Sequence, residues 1–171
     1  MKTIALAGIA ALAFGLTSTS QAQYSKPYGM SFRAGLFLTG DGDARNREGR
    51  NWIALGLEYK LKDVKFGNVG NNASYSVSMD YYGKGGYSHV PITFNYIGRQ
   101  DSFYYSAGIG VGFARVPDAF GGSDTTTEFA YQLSVGYDFN RGQTPFFAEI
   151  RFYGSNETQL NGFALMGGVR F

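Results

Sequence analysis

Residues 129–139 read Phe129-Ala-Tyr-Gln-Leu-Ser-Val-Gly-Tyr-Asp-Phe139, in which every second residue is apolar or aromatic and the residues between are small or polar. A period of two is the mark of a β-strand, because successive side chains project to opposite faces of the sheet. Residues 103–113, Phe103-Tyr-Tyr-Ser-Ala-Gly-Ile-Gly-Val-Gly-Phe113, repeat the pattern with three glycines on the second face. The phase continues through the chain. Alternate residues from Met30 to Leu38, Ile53 to Leu61, Tyr75 to Tyr81, Val90 to Tyr96, Phe146 to Phe152 and Phe163 to Phe171 form six further sets, giving eight strands. None of these alternate residues is charged. With 16% of the chain charged, about six charges are expected by chance among roughly forty positions.

The opposite faces carry the polarity. Arg33, Glu58, Lys60, Asp80, Asp138, Glu149, Arg151 and Arg170 all fall in the second phase, among serines, threonines and glycines. A soluble barrel turns its large apolar face inward and its polar face to water. Here the second face is too small and polar to build a core. Rings gather near strand ends (Tyr59, Tyr75, Tyr81, Phe103, Phe113, Phe129, Phe139, Phe146, Phe152, Phe163 and Phe171), where the two aromatic girdles of a membrane barrel sit. The reading is therefore an all-β closed antiparallel transmembrane barrel of about eight strands, apolar face outward. A periplasmic ligand-carrying barrel is the soluble alternative.

Composition agrees. Gly numbers 25, Tyr 13 and Phe 15 against 4 Pro, a bias toward strands and sharp turns. At 171 residues the chain has room for one domain. Once Lys2 leaves with a leader, 14 basic face 13 acidic residues, which gives no footprint for nucleic acid. The absence of Cys excludes disulfides, thiolate metal sites and a lipid-modified N-terminal cysteine. The N-terminus reads as a cleavable signal peptide over residues 1–22. Met1-Lys2-Thr3 is a short basic start, Ile4 to Leu16 a run of apolar residues and Gly, and Ser20-Gln21-Ala22 a small-residue cleavage site after Ala22. That run is too short to span a bilayer, which takes about 20 residues. The barrel domain then covers residues 23–171.

If both ends lie in the periplasm, the outer loops are Thr39 to Asn51, Gly83 to Ser88, Ala114 to Thr127 and Gly154 to Asn161, all polar. Gly98 to Asp101 and Asn140 to Thr144 are short inner turns, while Lys62 to Asn72 is long for one.

A leader, eight amphipathic strands and a terminal Phe171 preceded in phase by Val169, Leu165 and Phe163 resemble the small outer-membrane β-barrel superfamily, which includes the membrane domain of outer-membrane protein A and outer-membrane protein X. The resemblance covers the whole mature chain. It implies that Phe163, Leu165, Val169 and Phe171 form the signal read by the outer-membrane assembly machinery. Outer-membrane lipids are then the surrounding partner, loops can meet an extracellular partner, and the protein is a monomer. No peptidoglycan-binding domain is expected after Phe171.

The inward charges are nearly balanced in sign, and a barrel of eight strands is just filled by its own side chains. They should pair across the lumen, since an unpaired charge there costs several kcal/mol. Arg33, Glu58, Glu149 and Arg151 are expected at its centre. The leading function is a structural or surface-interaction barrel. A narrow pore with exchanging ion pairs is the first alternative and a lipid-modifying enzyme the second. The enzyme would need His89, the one histidine, beside Ser88. A nucleophile needs an oriented base, and a solvated histidine at a loop end is the simpler expectation. Gly40-Asp41-Gly42-Asp43 and Asp118 to Asp124 lack the full spacing of a calcium loop and read as turn chemistry. Gly108, Gly110 and Gly112 read as space for Trp52, Tyr104 or Phe147 across the lumen. No catalytic residue, cofactor or metal site is assigned.

Overall fold

The computed structural model describes residues 29–65, 72–117, 122–139 and 146–171. The signal-peptide reading, with Ala22, and the turn Asn140 to Thr144 lie outside them. Eight strands follow in chain order: β1 Met30–Thr39, β2 Asn51–Lys65, β3 Asn72–Lys84, β4 Tyr87–Gln100, β5 Phe103–Pro117, β6 Ser123–Asp138, β7 Phe146–Ser155 and β8 Gly162–Arg170. A short helix α1, Gly42–Glu48, follows β1, and a 3-10 turn, Thr158–Leu160, precedes β8. Each strand pairs antiparallel with its chain neighbours, and β1 closes onto β8, with Ser31 opposite Arg170 and Leu38 opposite Phe163. Closure gives each strand a partner on both sides within the barrel wall, and only extensions such as residues 123–129 of β6, which lie beyond the last β7 pairing, keep one open side.

Closure also makes the period of two an inside and an outside. The eight alternate sets face out: Ile53, Ile109 and Leu165 are each more than 60% exposed, whereas Arg33 and Arg151 on the other phase are 1% exposed. Large apolar side chains cover the outer wall while the charges lie within. Phe103 to Val111 on β5 pairs with Tyr137 to Phe129 on β6, so the apolar belts of these neighbouring strands are level.

The strand ends depart from the sequence reading. β5 and β6 run past the belt to Pro117 and Ser123, and their paired register persists there with no apolar residue in the exposed Thr125, Thr126 and Thr127. Polar strand above an apolar belt carries no alternation to read, so its sequence has the pattern of a loop. The β3–β4 connection is a two-residue turn, Gly85-Gly86, with Gly85 at φ +59°. At the other end β2 continues to Lys65, with a register shift between Lys60 and Lys62. The loop after β1 contains α1, which the sequence reading missed. Asp41 caps it, accepting a hydrogen bond from the Ala44 N–H at 2.8 Å, so this aspartate has a structural role.

The core is the lumen, and it is layered. At the loop end Phe37, Trp52, Tyr82, Tyr87 and Tyr153 pack with Met166 beneath Leu160 and Ala44, which the two loops supply. Phe37 and Tyr82 stack at 4.3 Å between ring centroids. Charged side chains fill the middle. Tyr104, Phe147 and Ile97 close the end nearer the chain termini.

Candidate functional site in the lumen

Inward positions of β1, β2, β3 and β7 bring Arg33, Glu58, Asp80, Glu149 and Arg151 together in mid-barrel. Asp80 is the main partner of Arg33, accepting from Nε at 2.9 Å and from Nη2 at 2.7 Å. Arg33 Nη1 donates to Glu58 at 3.1 Å, and Glu149 lies 3.5 Å from Arg33 Nε. Arg151 donates to Glu149 from Nε at 3.0 Å and lies 3.5 Å from Asp80 and 3.7 Å from Glu58. Two guanidinium groups thus face three carboxylates, and Tyr104 adds a hydroxyl donor to Glu149 at 2.9 Å. Planar guanidinium forks suit this task because one group can serve several carboxylates at once. Gly56 makes the fit possible: a Cβ there would lie 2.0 Å from Asp80 Oδ1.

The other predicted network members sit elsewhere. Asp138 and Arg170 form a second cluster near the termini with Arg99, which the sequence reading had not singled out although it shares the inward phase. Asp138 pairs with Arg99 and lies 3.3 Å from Arg170, whose guanidinium lies 4.1 Å from the Phe147 ring centroid. These three side chains are 29%, 11% and 17% exposed for Arg99, Asp138 and Arg170. Lys60 belongs to neither group. At the end of the wall, beside the β2 register shift, it pairs with Asp63 at 3.1 Å in an exposed contact. The single expected network is therefore two clusters and one surface pair.

Neutral groups fill the remaining mid-lumen. The Gln132 amide nitrogen lies 2.7 Å from Thr93 Oγ1, 2.6 Å from Asn95 Oδ1 and 3.0 Å from Ser78 Oγ. Gly108 and Gly112 give room to side chains of the adjacent strand β4, since a Cβ would lie 1.8 Å from Asn95 Oδ1 or 2.0 Å from His89 Nε2. Gly110 lies against the β4 backbone at Ile92 and Thr93. This corrects the expectation of large rings reaching across the lumen. Tyr104 and Phe147 instead lie over Gly136 and Gly168 of neighbouring strands.

His89 is also corrected: it is 1% exposed inside the barrel, not solvated at a loop end. Its Nδ1 is 2.6 Å from Tyr82 Oη and its Nε2 is 3.1 Å from Glu128 Oε1. It lies inward because the strand β4 starts at Tyr87, which puts position 89 in phase with Thr93 and Asn95. Ser88 therefore projects to the opposite face and cannot share a proton with His89. Phe163, Leu165 and Phe171 are exposed on the outer wall, and Val169 shares their phase on β8. The Phe171 N–H donates to Met30 O at 2.8 Å, tying the terminus into the barrel.

Comparison with known proteins reaches the fold and stops there. No family model matches the chain, and no curated protein sequence matches it. Among solved structures, the outer membrane enzyme PagL is similar at 16% identity and TM-score 0.52, over 81% of this chain and 97% of that one. The Yersinia pestis outer membrane protein Ail, solved in a phospholipid bilayer nanodisc, is similar at 15% identity and TM-score 0.47, over 83% of this chain and 98% of that one. At its identity the PagL likeness is one of fold, a closed eight-stranded antiparallel barrel.

Proposed function

We propose that this chain is an integral protein of the bacterial outer membrane, with a structural or surface-interaction role and a lumen filled by its own side chains. The observation that carries the reading is the sorting of the closed wall: apolar outside, charged and hydrogen-bonded inside. The eleven residues from Phe103 to Phe113 match the length a tilted spanning strand needs, about 9–11 residues. Rings end the belt at both levels, as at a membrane interface. The likeness to a barrel described as an outer membrane enzyme supports the same location. The leader 1–22 supports export, and Phe163, Leu165, Val169 and Phe171 support recognition by the assembly machinery.

Aromatic layers above and below the mid-barrel charges favour a plug over a narrow pore. The opposed faces of Ser88 and His89 weigh against a lipid-modifying site built on that pair. In cells, the protein should begin at Gln23 and fractionate with the outer membrane. Recovery in the soluble periplasm would contradict the reading. Planar-bilayer recordings of the refolded protein should show no steady conductance, and membrane lipids should be the same with the parent and with His89→Ala. Deleting Phe171 should lower assembly and leave export intact.

A further inference from the structure

The loop before β8 lies over the barrel mouth and is held from below by lumen side chains. Glu128 Oε2 accepts from the Glu157 N–H at 2.7 Å, Tyr82 Oη donates to the Leu160 carbonyl at 3.0 Å, and Thr39 Oγ1 donates to the Gln159 carbonyl at 3.3 Å. Two of these three anchors, Tyr82 and Glu128, also contact His89.

Counting protons exposes a conflict. A phenol has one proton, yet Tyr82 Oη lies within hydrogen-bond distance of both the Leu160 carbonyl and His89 Nδ1. A carbonyl oxygen can only accept. Tyr82 can therefore hold Leu160 only while His89 Nδ1 carries its own proton and donates to the phenol oxygen. On its other side, Nε2 lies 3.1 Å from Glu128 Oε1, an ion-pair distance at which neither atom has an aligned hydrogen bond, and a carboxylate so close favours a proton on Nε2 by its charge. Both contacts are made together by the imidazolium. When the ring loses a proton, Nε2–H stays with the carboxylate and Nδ1 becomes an acceptor. The phenol proton then turns to Nδ1, and the Leu160 carbonyl is left facing an oxygen lone pair.

We propose that His89, Tyr82 and Glu128 form a proton-controlled latch on the loop Glu157–Asn161. The protonated ring frees Tyr82 to hold the loop, and deprotonation diverts Tyr82 to the ring and loosens it. The surroundings define which groups take part. Tyr82 comes from β3 and Glu128 from β6, while β5 presents Gly112, which has no side chain, against the ring. Tyr153 of β7 packs on Tyr82 at 4.7 Å, Asp80 lies two residues along β3 from Tyr82, and Glu157 belongs to the loop itself. Loop attachment is thus strongest at low pH and weakens as pH rises through the titration of the His89–Glu128 pair.

The test is NMR of the refolded full chain in phospholipid nanodiscs, with labelled histidine nitrogens and carbonyl carbons, between about pH 3 and about pH 9, a span that takes in histidines displaced by burial. Expected is loss of the Nδ1 proton with Nε2 retaining its own, and a shift of the Leu160 carbonyl signal at the same midpoint. The Leu160 and Asn161 amides should then exchange roughly tenfold faster after correction for intrinsic rates, the scale of one hydrogen bond. Tyr82→Phe should leave His89 titrating and the Leu160 carbonyl unresponsive. The latch is overturned by a Leu160 signal that stays constant through the His89 transition, by loss of the Nε2 proton instead, by a ring that does not titrate in this range, or by a Leu160 response that survives in Tyr82→Phe. The unsubstituted protein decides the first three outcomes, so the test stands even where the variant refolds poorly.

Discussion

The middle of the lumen and its end near the termini both pair arginines with carboxylates, yet the two arrangements differ in burial and in the number of partners. In mid-barrel, Arg33 reaches Asp80, Glu58 and Glu149 with about 1% of its side chain exposed. Near the termini, Arg99 and Arg170 share the single carboxylate of Asp138, and all three touch solvent. The same residue types thus carry different energetic weight. A fully buried charge left without its partner cannot recruit water, whereas one at the mouth can.

Substitutions can break that comparison, and their expected effects run in order of burial. Arg33→Ala leaves three carboxylates facing Arg151 alone and should destabilise the refolded barrel by about 3–5 kcal/mol in urea unfolding. A midpoint equal to the parent's would show the middle of the lumen to be wet. Gly56→Ala changes no charge and tests the same cluster by shape. Its Cβ would fall on Asp80 and Arg33, so a loss of about 1–3 kcal/mol is expected, and an unchanged midpoint would mean that the arginine fork lies elsewhere.

Asp138→Asn removes the shared carboxylate at the mouth, where solvent screens both arginines. It should cost about 1 kcal/mol or less and lose even that in high salt, so a salt-independent loss as large as that of Arg33→Ala would erase the distinction. Lys60→Ala, breaking an exposed pair, should change stability by less than about 0.5 kcal/mol. A larger loss would place Lys60 back in the lumen network.

Most of the fold was legible in the sequence, because a closed barrel converts one period into one geometric fact. All eight outward sets, from Met30–Leu38 to Phe163–Phe171, keep their phase in the structure. The lumen was legible in membership and less so in grouping. Phase says that Arg33, Asp80 and Asp138 share a face, but their heights depend on register and strand tilt. That is why Asp138 and Arg170 separate from the mid-barrel cluster and join Arg99. His89 was misread because it lies where apolar alternation ends and polar strand resembles loop. Counting the phase back from Thr93 through Pro91 would have put His89 inward. The aromatic layer of Phe37, Trp52, Tyr82 and Tyr153 occupies the same inward phase, and of these four only Trp52 was expected in the lumen.

The central claim, that lipid lies outside and the packed polar core inside, can be tested through the chain's single tryptophan. Trp52 is 1% exposed within the lumen, its indole N–H donating to Gly49 O at 2.9 Å. Its neighbour Ile53 is on the outer wall. Fluorescence should be recorded for the protein refolded in vesicles with brominated acyl chains, comparing native Trp52 with Ile109→Trp in a Trp52→Phe background. Strong quenching at position 109 and near-absent quenching at Trp52 is the predicted result. Equal quenching at the two positions would contradict the assigned faces.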